Sequence, residues 1–159
     1  MKYVFIAVLC ACVIIAGRLF GIGFSRKIKM SENFIGFLTF AKNEMSFSAA
    51  TVYEIVKKYV DYYPQNSALF GEVTEPISES MHRSLQSNHF FNQKQKMIIL
   101  EFFDTFGTGN EEAGLNLIAH TLTVFREEHT LLVSEIRTKI KLANRLSLLL
   151  AAGVAILFI

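Results

Sequence analysis

Charge is missing from both ends of this chain. Across residues 3–24 Arg18 is the single charged side chain, and residues 146–159 carry none. An apolar helix of about 20 residues crosses a hydrocarbon core of ~30 Å at ~1.5 Å per residue. The pattern predicts an N-terminal transmembrane helix over 1–25, a helical domain over 26–141 and a C-terminal transmembrane helix over 142–159. The last run is short, and it spans only if Leu142 and Ala143 join it while Arg145 snorkels to the interface. Arg18 needs the same escape.

A cleaved leader is the rival reading of the first run, since Leu9-Cys10-Ala11-Cys12 has the look of a bacterial lipoprotein site. A signal peptide ends its apolar region at cleavage, whereas this run continues through Val13, Ile14 and Ile15. The permanent anchor is favoured. The two cysteines, Cys10 and Cys12, both sit inside that run and form no disulfide framework.

Arg18, Arg26, Lys27 and Lys29 follow the first run, and Arg137, Lys139, Lys141 and Arg145 precede the second. Basic residues beside membrane segments stay on the cytoplasmic side. The expected topology is multi-pass in the cell membrane, with the central domain in the cytosol. Gly17, Gly21 and Gly153 are the expected packing positions of the spans, because small residues let helices approach closely in lipid. The net charge of +2 implies no nucleic-acid partner.

The central segment reads as helices throughout. Phe34, Phe37, Leu38, Ala41 and Met45 recur at helical spacing, as do Val52, Ile55, Val56, Tyr59 and Val60 before Pro64. Pro76 suits the start of a helix carrying Ile77, Met81 and Leu85. Another stripe holds Ile99, Phe102, Phe103 and Phe106. Gly107 suits a left-handed helix end, Asn110 or Thr108 a cap, and Glu111 and Glu112 the positive end of the next helix. From Leu115 onward apolar residues step by three or four without Pro or Gly as far as Ala152, so one helix of about 45 residues is expected. The predicted fold is all-α: an antiparallel bundle of about six helices flanked by the two transmembrane helices, its last helix continuing into the membrane.

Fifteen phenylalanines and no tryptophan supply the core. Phe90 and Phe91, adjacent in a polar loop, cannot both face one core, so one of them is a candidate partner contact. Chemistry finds little footing. Glu79-Ser-Met-His82 has the spacing of one half of a di-iron site, but no second copy follows. Gly107-x-Gly109 lacks the lysine of a phosphate loop. No catalytic, metal or cofactor site is expected, and no enzyme.

The stretch Leu100-Glu101-Phe102-Phe103-Asp104-Thr105-Phe106-Gly107-Thr108-Gly109-Asn110 resembles the leucine-rich helix, glycine turn and acidic cap of the stage III sporulation protein AB family. The basic exit of the first run, Gly17 through Lys29, and the helix of Phe34, Leu38 and Glu44 also match, as does the long charged helix running into 146–159. Members of that family look like the cytoplasmic domain of the platform proteins of type II secretion and type IV pilus systems. The resemblance implies a non-enzymatic platform or scaffold subunit of a channel linking mother cell and forespore, in the mother-cell membrane. It also implies an AAA-type secretion ATPase, encoded beside it, and other membrane subunits of the channel as partners. Gly107, Gly109, Asn110, Glu111 and Glu112, with Phe90 and Phe91, form the expected partner surface. A membrane-anchored helical-bundle sensor, or a platform component of another secretion or pilus system, is the alternative.

Overall fold

The computed structural model describes the backbone of residues 2–48 and 50–158, and the side chains of 11, 12, 15, 23–48, 50–150, 152, 153 and 156. Among the described residues there are five α-helices and one 3₁₀ helix, and no strand. They are α1 (Lys2–Phe47), α2 (Val52–Tyr62), the 3₁₀ helix Pro64–Leu69, α3 (Ile77–Ser87), α4 (Gln93–Thr105) and α5 (Glu111–Phe158).

The all-α prediction holds, but its flanking membrane helices do not. Among the described residues no helix is long and apolar enough to cross a membrane. The transmembrane helices expected over 1–25 and 142–159, and the multi-pass cell-membrane location built on them, are corrected accordingly. Along α1 the described side chains are continuous only from Gly23, and Arg26, Lys27 and Lys29 follow closely; along α5 the described side chains beyond Arg137, Lys139, Lys141 and Arg145 are continuous only over 146–150. The side-chain surroundings of Arg18, Gly17 and Gly21 lie outside what the structure describes. At Gly153 a side chain would meet nothing within 4 Å.

The chain divides into two compact units, Lys29–Thr130 and Met1–Ile28 with Leu131–Ile159.

The unit Lys29–Thr130 is a helical bundle around aromatic rings. Phe34, Phe37, Leu38 and Ala41 of α1 are fully buried, with Ile55, Val56 and Tyr59 of α2, Met81 and Leu85 of α3, Ile99, Phe102 and Phe103 of α4, and Ile118 and Phe125 of α5. These are the stripes that the helical period of the sequence selects. Phe37 lies at the centre, its ring 5.0 Å from Phe70, 5.4 Å from Tyr59 and 5.6 Å from Phe103. Tyr59 closes one side: its hydroxyl donates to the Asn33 carbonyl at 3.0 Å and accepts from Asn66 Nδ2 at 3.0 Å. Burial pushes the Tyr59 phenol up from its ordinary range, the Asn66 hydrogen bond opposing it.

Caps fix where the helices begin. Thr51 Oγ1 accepts from the Glu54 amide at 3.3 Å while the Glu54 carboxylate accepts from the Thr51 amide at 2.8 Å. Asn92 and Gln95 repeat this reciprocal box at α4. Gln95 has a second role. Fully buried, it donates through Nε2 to Ser31 Oγ at 3.3 Å, and Ser31 Oγ stands 3.0 Å from His129 Nδ1. That link ties α4 to both α1 and α5. Beside it Lys94 Nζ pairs with the buried carboxylate of Glu128.

In the other unit Leu132 and Ile136 are buried, and Lys139 bonds to Glu135 at 2.6 Å, one helical turn apart. That contact holds the Glu135 carboxyl below its usual range.

The two units differ sharply in charge. Residues 29–130 hold 8 basic and 13 acidic side chains, a net of −5. The remainder holds 8 basic and 1 acidic, a net of +7, so the chain's +2 conceals a segregation.

Candidate docking cleft

Within the unit Lys29–Thr130, the end of α1, the start of α2, the loop before α3 and the turn between α4 and α5 enclose a cleft of about 900 Å³. Each wall follows from a local feature of the sequence. Helix α4 stops because Gly107 turns the chain with φ +91°, a conformation that L side chains rarely adopt. The Thr108 hydroxyl then donates to the Thr105 carbonyl at 2.7 Å, satisfying one of the helix's last acceptors. Two residues later Asn110 Oδ1 accepts from the Ala113 amide at 2.9 Å and opens α5, with Glu111 and Glu112 exposed in its first turn.

Two glycines let the walls close together. A Cβ on Gly107 would lie 2.6 Å from Val52 Cγ2, so this turn rests directly on the first residue of α2. A Cβ on Gly114 would lie 2.5 Å from Met45 Cε, which brings the start of α5 against the end of α1.

The floor is apolar, from Met45, Val52, Ile55, Ile77, Phe103, Phe106 and Leu117. The rim carries Glu75, Asp104 and Glu111, and none of the described lining residues is basic. Asp104 lies 3.3 Å from His82 Nε2, an exposed contact of the kind that contributes little in water.

Of the residues singled out from the sequence, Gly107, Gly109, Asn110 and Glu111 come together around this cleft. Glu112 is exposed in the same helical turn without lining it. Phe90 and Phe91 are elsewhere: Phe91 is buried with its ring 6.4 Å from Phe125, and Phe90 is half-buried against the same core. Met45, Val52, Glu75 and Ile77 complete the cleft and were not singled out as site residues. The capping box at Thr51 marks the start of α2 in the sequence, but nothing there marks its approach to Gly107. No group of three or more His, Cys, Asp or Glu able to hold a metal occurs among the described residues.

The family model of stage III sporulation protein AB matches residues 2–159. The chain belongs to that family. No curated protein and no solved structure matches it. This stage III sporulation protein AB homologue is therefore a sporulation-related protein, and residues 103–110 of the stretch that resembles the family's helix, glycine turn and cap form one wall of the cleft.

Proposed function

We propose that the protein is a non-enzymatic scaffold subunit of a secretion-like sporulation channel between mother cell and forespore, and that its acidic helical unit receives a cytoplasmic AAA-type secretion ATPase. The observation that supports this reading is that residues 103–110, within the stretch that resembles the family's helix, glycine turn and cap, line the cleft of a chain that belongs to the family. Fixed helix caps and a packed aromatic core hold those walls in place, which suits a docking surface. A rigid surface loses little conformational entropy on association.

An in-frame deletion in the source organism, followed through starvation by microscopy, tests the biological role. Cells are expected to engulf a forespore and then arrest, with the wild-type copy restoring mature spores. Spores formed at wild-type frequency without the protein would overturn the reading.

A further inference from the structure

The chemistry of the cleft specifies its occupant more closely than the scaffold reading does. The apolar floor of Met45, Val52 and Phe106 asks for apolar side chains. The rim asks for cations. Among the described residues neither Glu75 nor Glu111 is in an ion pair, and Asp104 has only exposed His82 beside it. The net charge of −5 on the surrounding unit extends the same preference beyond the rim, drawing a basic partner in and repelling an acidic one. At the edge, Phe47 is 90% exposed beside Ser48, which lines the cleft. An aromatic ring so placed is the kind of side chain that anchors an interface.

We propose that this cleft binds a basic amphipathic helix of a partner protein. Apolar residues on one helical face seat on Met45, Val52 and Phe106, and Lys or Arg residues flanking that face pair with Glu75, Asp104 and Glu111. Helix-in-groove recognition needs an apolar stripe at the helical period together with complementary flanking charge, and the cleft presents the counterpart of both. This rests on the scaffold reading for the identity of the partner but not for the chemistry of the surface.

The test is calorimetric titration of the full chain with a synthetic helical peptide of Leu and Lys, and with its Leu and Glu counterpart. The Leu/Lys peptide is expected to bind with one-to-one stoichiometry and to weaken as salt is raised. The Leu/Glu peptide is expected not to bind. Glu75→Lys with Glu111→Lys should weaken the Leu/Lys peptide by about tenfold or more. Ala113→Trp, which fills the cleft from α5, should abolish binding. Thr108→Trp is a second plug outside any helix, and Glu101→Lys on exposed α4 surface is the charge control. Unchanged far-UV circular dichroism and unfolding midpoint show that each variant is folded. Full affinity in both folded plug variants would overturn the proposal, as would equal binding of the acidic peptide or self-association of the chain through this face. If the peptides fail while the deletion still arrests sporulation, the docking assignment falls and the scaffold reading stands. If the peptides bind and sporulation is normal, the reverse holds.

Discussion

Replacing Phe37 by Ala lowers the unfolding free energy of the chain by about 3–5 kcal/mol. The side chain is completely buried and its ring meets five others: Phe34, Tyr59, Phe70, Phe102 and Phe103. Truncation removes the transfer energy of the ring and also leaves a cavity, because the surrounding rings come from α1, α2, α4 and the segment after the 3₁₀ helix. They cannot all collapse inward at once. A domain of ordinary stability has only about 5–15 kcal/mol to lose, so the variant stands near the edge of folding. Phe47→Ala is the matched control. It deletes the same group at a position 90% exposed and should change stability by less than about 0.5 kcal/mol. Urea unfolding followed by circular dichroism separates the two. A cost below about 1 kcal/mol at Phe37 would mean that the aromatic cluster is loosely packed.

Gly107→Ala is the second large effect, and it has two separable causes. A left-handed conformation costs a residue with a Cβ about 1–3 kcal/mol. Overlap of the new Cβ with Val52 Cγ2, 2.6 Å away, adds roughly 1–3 kcal/mol because Val52 is stiff and sits at the start of a capped helix. In a Val52→Ala background the overlap disappears and the strain remains, so the penalty should fall by about that second amount. Gly114→Ala makes the contrast. Its Cβ would come equally close to Met45, but to the free end of a flexible side chain, and a helix interior favours Ala over Gly by about 1 kcal/mol. Near-neutral behaviour is expected there. Equal penalties for Gly107→Ala with and without Val52 would show that the turn does not rest on α2.

Much of the fold is written in short-range pattern. Phe34, Phe37, Leu38 and Ala41 repeat at the helical period and are all fully buried; Gly107 and Asn110 stand where a helix must stop and another start, and their backbone and hydrogen bonds do that. Helix α2 ends at Tyr62, just before Pro64, as a missing amide requires. What escaped is long-range. The link of Ser31 to Gln95 and His129 joins residues 64 and 98 positions apart, and no local signal marks it. The cleft draws on four separate stretches, so only the Gly107–Glu111 part is visible before the walls are assembled. Phe90 and Phe91 illustrate the same limit: adjacent rings in a loop both reach the core because a loop need not send neighbours to opposite faces. At the ends, charge and length alone predict membrane spans, whereas among the described residues no helix is long and apolar enough to cross a membrane. The charge segregation was countable from the start, but it acquires meaning only once the boundary near Lys29 and Thr130 is known.

The central claim is that a partner docks on the acidic helical unit, and direct binding between the full chain and the AAA-type secretion ATPase proposed as its partner tests it most directly. Calorimetry should give saturable binding that weakens with salt, and charge reversal at Glu111 and Glu112 should reduce the affinity while leaving the unfolding midpoint unchanged. No heat of binding at any accessible concentration, or an affinity indifferent to both salt and charge reversal, would contradict the account.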